Sequence, residues 1–163
     1  RQMTEKKYFQ DHMPGNVCFG CGAEHPEGLQ IKGFWEGSAA ICHWQPDEKY
    51  RGWPRLLNGG IMATLIDCHC MGTAMAYAYQ QEDRDFDSTP FYRYATGGLK
   101  VKYLKPTPTK DMITLRAQVI EHHQRKIIMS CTLESSGIIT AEAEVIAIQV
   151  YDSSKNNETN QFE

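Results

Sequence analysis

From Gly59 to Gln81 the chain carries a single charged residue, Asp67, and alanines, methionines and aromatics fill most of the other positions. Good helix formers and the absence of proline predict one helix of roughly 20 residues, about 30 Å long. Asn58 precedes it as an N-cap, since its side-chain oxygen can accept an orphan N–H of the first turn. Asp67, His69 and Gly72 interrupt the apolar run, and no basic flank follows it, so a membrane span is a poor reading. A helix this apolar in a small chain must be wrapped by other elements.

The flanking sequence supplies the wrapping. Residues 1–15 read as a short helix or arm ended by Pro14-Gly15, and 16–28, dense in glycine and proline, as a series of turns. Leu29, Ile31 and Trp35, then Ala39, Ile41 and His43, alternate with their neighbours on either side of Glu36-Gly37-Ser38, which predicts a hairpin. A loop over 45–57 leads to the helix. Beyond the helix, 82–94 reads as an irregular insert holding Phe86, Phe91, Tyr92 and Tyr94, apolar surface that would shape a pocket. Four strands are predicted over 98–104, 112–121, 126–134 and 138–151, joined closely enough for an antiparallel meander. The last is apolar on both faces toward its end, which places it inside the sheet. The fold class is α+β: a six-stranded antiparallel sheet wrapped around a long central helix. The domain plan is an arm and turn segment over 1–26, the main domain over 27–151 and a flexible polar tail over 152–163.

Length and charge narrow the function. At 163 residues and a net charge of −3, the chain suits one globular domain and lacks the bulk charge that nucleic-acid binding uses. Residues 1–13 are polar, without the apolar centre of a secretory signal, so a cytoplasmic location and reduced thiols are expected for the six cysteines.

Three motifs taken together, Cys18-Phe-Gly-Cys-Gly with His25-Pro-Glu-Gly-Leu, then 52–67 (GWPRLLNGGIMATLID), then 96–108 (TGGLKVKYLKPTP), resemble the hotdog-fold acyl-CoA thioesterases, specifically the phenylacetyl-CoA thioesterase (PaaI-type) branch. The resemblance covers about residues 17–150. It implies hydrolysis of an acyl-CoA to a carboxylic acid and free coenzyme A. It also implies a homodimer, or a dimer of dimers, whose sheets join edge to edge with active sites at the subunit interface. No cofactor, nucleic acid or membrane insertion is implied. Two positions depart from the family pattern: Asn58 stands where histidine is usual, and Cys68 follows Asp67 where many members carry glutamate.

Asp67 is the leading catalytic candidate. No stripe of other charges accompanies it, and a partly desolvated carboxylate suits a general base or nucleophile. Gly59 and Gly60 open the helix, where unpaired N–H groups at the positive end of the dipole can hold an oxyanion. By the resemblance the Gly59 N–H is that donor, Asn58 assists it, and Gly60 belongs to the substrate site. Eight residues of helix put Gly59 and Asp67 about 12 Å apart along the axis, too far for both to serve one carbonyl. Each site is therefore expected to combine Gly59 of one chain with Asp67 of another. Thr96, placed just before the third strand, matches a Ser/Thr that orients the nucleophile or water. Gln45 and Trp53 border the helix start as substrate-binding candidates. Lys102 and Lys105, with Lys100, Arg125 and Lys126, supply cations for the phosphates of coenzyme A.

Cys18-x-x-Cys21 suggests zinc, but no second ligand pair follows it. His25, Cys42 and His43 are the neighbours available for recruitment, so no metal is expected. Cys68 and Cys70 read as small apolar residues of the helix. Two alternatives to the thioesterase stay open: a hotdog module that binds acyl-CoA without turnover, and a hotdog dehydratase or hydratase.

Overall fold

The computed structural model describes residues 6–155. Expectations for residues 1–5 and 156–163 lie outside them. A 3-10 turn at Phe9–His12 follows the start of this region. The strands are β1 (Phe34–Glu36), β2 (Ala39–Trp44), β3 (Tyr92–Tyr103), β4 (Ile113–His123), β5 (Lys126–Ser135) and β6 (Ile138–Asp152), and the helix α1 (Gly59–Gln81) lies between β2 and β3. All strands pair antiparallel in one sheet, in the order β1-β2-β4-β5-β6-β3.

The helix begins where the sequence places it. Asn58 sits in extended backbone and its Oδ1 accepts the N–H groups of Gly60 at 2.8 Å and Ile61 at 3.1 Å. That satisfies two of the donors a helix start leaves orphaned. The inner face of the sheet supplies Ile113, Leu115, Ala117, Ile127, Met129, Leu133 and Val145, all buried, against Leu65, Ile66, Cys70 and Ala74 of α1. One stripe of the helix escapes this cover. Thr64, Asp67, Met71 and Met75 fall three or four residues apart and are half-exposed together.

Three features of the sheet differ from expectation. Strands β4, β5 and β6 form a meander, and two positive-φ residues, Ser136 and Gly137, turn the last hairpin tightly. The meander does not extend to β3, which pairs with β6 at the edge. Residues 104–112 therefore carry the chain across the start of α1, where the Leu57 N–H donates to the Thr107 carbonyl at 2.8 Å, before β4 joins β2. The β1 hairpin arm is short because Gln30 takes a left-handed conformation, φ 56°, which breaks the extended run. Leu29 and Ile31 are buried without belonging to a strand.

The third difference is the predicted insert. Its last residues, Tyr92 to Tyr94, already belong to β3. Phe86 does not shape the cavity beside Asp67. It rests 5.8 Å from the ring of Phe9 and 5.4 Å from that of Tyr79, at the far end of the helix. The Tyr79 hydroxyl accepts the Tyr92 N–H at 3.0 Å, and Glu82 accepts from the Tyr92 hydroxyl and pairs with Arg84. This cluster packs the C-terminal end of α1, beside a cavity of about 550 Å³ lined by Phe9, Tyr79, Arg84 and Phe86. Among the described residues no helix is long and apolar enough to cross a membrane.

Candidate active site

A β-bulge aims the first functional pair. In β3 the register with β6 shifts between Thr96 and Gly98, so Gly97 is the extra residue. A Cβ at Gly97 would meet Ile148 Cγ1 at 2.5 Å, hence the glycine. Thr96 thus lies within β3 and not ahead of it, and its hydroxyl donates to Asp67 Oδ1 at 2.5 Å. The pairing spans 29 residues of sequence. One carboxylate oxygen is fixed by this bond and the other remains for a water or an electrophile.

Asp67 and Thr96 line a cavity of about 720 Å³ together with Met13, Val17, Met71, Met75 and Tyr94. The wall is largely apolar, and methionine adapts its shape to what it meets. Arg93 supplies a cation at the rim. Burial pushes the Tyr94 phenol up to about 12, so it stays protonated.

The helix start lies in a different place. Asn58, Gly59 and Met62 line a second cavity, about 670 Å³, with Trp53, Tyr103 and Lys105. The Tyr103 hydroxyl donates to the Gly59 carbonyl at 2.6 Å. Asn58 Oδ1 takes the next two amides, so Gly59 keeps the first N–H of α1, which among the described residues has no acceptor.

The residues expected from sequence therefore divide. Asp67 and Thr96 come together, as do Asn58, Gly59, Trp53 and Lys105, but the two groups line separate cavities of one chain. The Gly60 N–H is occupied by the cap and offers nothing to a substrate. Gln45 turns away from both cavities and donates from Nε2 to the Lys110 carbonyl at 3.4 Å. Lys102 is an exposed residue of β3 outside both linings.

Two features escape a reading of the sequence. Arg93 falls in the stretch expected to be irregular, where the direction of a side chain has no local signal. The other is a meeting of thiols. Cys68 lies against the Cys18-x-x-Cys21 turn, so the partner that the spacing lacked comes from α1 and not from His25, Cys42 or His43. The hydrogen bonds to Cys18 and Cys21, and then burial, push the Cys68 thiol up. The Cys18 thiol is held down to about 5, first by that hydrogen bond and then by the N–H groups of Cys21 and Gly20 against the opposing effect of burial. Cys21 is lowered for the same first reason.

No family model matches the chain. It is 26% identical over 108 residues to the acyl-coenzyme A thioesterase THEM4 of Rattus norvegicus, a match covering 66% of this chain and 41% of that one. The chain thus spans less than half the length of that relative. Its structure superposes on a thioesterase superfamily protein from Shewanella loihica with a TM-score of 0.61 and 28% identity, over 79% of this chain and 96% of the other. It also superposes on the E. coli PaaI protein of the phenylacetic acid degradation operon, with a TM-score of 0.62 and 12% identity, over 76% and 82%.

Proposed function

We propose that the chain is an acyl-CoA thioesterase of the hotdog-fold superfamily, of the phenylacetyl-CoA (PaaI-type) branch, whose site is shared between two copies. The observation that carries the reading is the bond from Thr96 to Asp67, the one charged residue of α1, at the wall of a methionine-lined cavity. Thr96 holds one oxygen of the carboxylate. The other attacks the thioester carbonyl, or takes a proton from the water that does. The tetrahedral oxyanion then needs a donor until it collapses and expels the coenzyme A thiolate. On the water route the thiolate takes up the proton that Asp67 removed, and on the direct route a second water hydrolyses the mixed anhydride left on Asp67.

Gly59 is that donor, through the N–H that the cap leaves unpaired at the positive end of α1. Within one chain it faces a different cavity from Asp67, so it serves the Asp67 of a second copy. Two observations support a dimer of this form. The stripe of α1 bearing Asp67, Met71 and Met75 is left half-covered, which suits a second helix lying antiparallel to it. Among the described residues the long edge strand β3 has no partner on one side, with Leu99 and Tyr103 39% and 51% exposed, and unpaired edges of this length are ordinarily covered. Lys105 and Arg93 are the cations within reach of the cavities for the phosphates of coenzyme A.

The test is release of free thiol from a panel of acyl-CoA thioesters that includes aromatic acyl groups. Turnover of at least one member is expected, with the ranking favouring acyl groups that fill the Met71–Met75 wall. Binding of the panel without thiol release would replace the enzyme with a binding module.

A further inference from the structure

The sulfur atoms of Cys18, Cys21 and Cys68 lie within 4.8 Å of one another, and those of Cys18 and Cys68 are 3.9 Å apart. A tetrahedral ion with metal–sulfur bonds of about 2.3 Å holds its sulfur ligands about 3.8 Å from each other. The turn is therefore already drawn to the size of such a site.

The surroundings fit the same chemistry. The Gly20 N–H points at Cys18 Sγ at 3.4 Å, and Asn16 Nδ2 at Cys21 Sγ at 3.6 Å. Donors of this kind offset the negative charge that several thiolates bring to one point. Two glycines make the approach possible. A Cβ at Gly20 would meet Cys68 Sγ at 2.4 Å, and one at Gly22 would meet the Cys18 backbone at 2.6 Å. Core filling does not account for the cluster, because Cys18 is exposed. A disulfide would join two of the three sulfurs and leave the third without a role.

We propose that Cys18, Cys21 and Cys68 bind one thiophilic d10 cation of the zinc class, with the fourth coordination position open to the cavity that Asp67 and Thr96 line. Such an ion ties the glycine-rich turn to α1 and makes the wall of that cavity rigid. Neither the site nor its test depends on thioester hydrolysis, so failure of one reading leaves the other standing.

The experiment uses the full chain, reduced, stripped of metal and titrated with Co²⁺. One equivalent should produce the near-ultraviolet sulfur-to-cobalt charge-transfer band and the intense visible bands of a tetrahedral site, and Zn²⁺ should bleach both. Cys18→Ser, at an exposed position that the fold tolerates, should weaken binding by about 100-fold or more, since losing even an outer partner of a ligand costs about 10–100-fold. Cys42→Ser, buried elsewhere in the core, should retain the cobalt spectrum. Absence of the charge-transfer band with all thiols reduced would overturn the proposal. So would a Cys18–Cys21 or Cys18–Cys68 disulfide formed in air by a protein that takes up no cobalt, which would make the cluster a redox pair.

Discussion

At its C-terminal end α1 is packed with rings: Phe9, Phe86, Tyr79 and Tyr92 meet in succession, with the Arg84 guanidinium 4.7 Å from the ring of Tyr79, beside a cavity of about 550 Å³ that Lys7, Asp83 and Asp85 also line. From Gly59 to Met75 one side of the same helix opens on two larger cavities that hold a carboxylate, a free amide and two cationic side chains. The fold packs most of its aromatic surface at one end, and at the other it brings a carboxylate and a free amide to the cavity walls. The difference shows how a single apolar helix can be both the core of a small domain and the floor of a site. The ring-packed end contributes stability, and the open end leaves reactive groups partly desolvated.

That division can be broken from either side. Asp67→Asn, at the open end, should lower turnover by roughly 10²–10⁴-fold, because it removes the base or nucleophile while keeping the shape and the acceptor for Thr96. Its denaturation midpoint should shift by no more than about 1 kcal/mol equivalent, as is usual for substitutions outside the core. Parental turnover in this variant would remove Asp67 from the mechanism. Phe86→Ala, at the ring-packed end, should do the reverse. Removing this half-buried ring from the helix terminus should lower the unfolding free energy by about 2–3 kcal/mol, somewhat below the range for fully buried rings. Thiol release per folded molecule, measured alongside urea denaturation, should be unchanged. A change in acyl preference without loss of stability would put Phe86 in the substrate pocket after all.

The sequence makes the helix legible from cap to end, since Asn58 and the unbroken apolar run state its bounds locally. It also marks Asp67 and Thr96, which the structure joins. What it hides is long-range placement. Strand pairing of β3 with β6 leaves no local trace, and the Gly97-Gly98 bulge interrupts the alternation that would have revealed β3 from Tyr92 onward. Cys68 reads as a packing residue because a helix pattern cannot say which loop will lie on it. Its partner Cys18 is 50 positions away. Gly60 misleads for a related reason. Its amide looks free until the reach of Asn58 Oδ1 over two N–H groups is known.

The central claim, that each site combines Gly59 of one copy with Asp67 of the other, is tested most directly by complementation. Gly59→Pro removes the donor N–H while keeping the helix start. Proline is favoured at the first helical position, and Asn58 at φ −62°, ψ 133° already has the backbone a following proline requires. A Cβ there would make only an ordinary 3.5 Å contact with Tyr103. Alone, this variant should lose about 10²–10³-fold in turnover, as for loss of one oxyanion donor. Unfolded together with Asp67→Asn and refolded as a mixture, the two inactive chains should recover about a quarter of parental specific activity, since random pairing makes half the dimers mixed with one intact site each. A mixture no more active than its two parts would place donor and acid in the same chain and contradict the account.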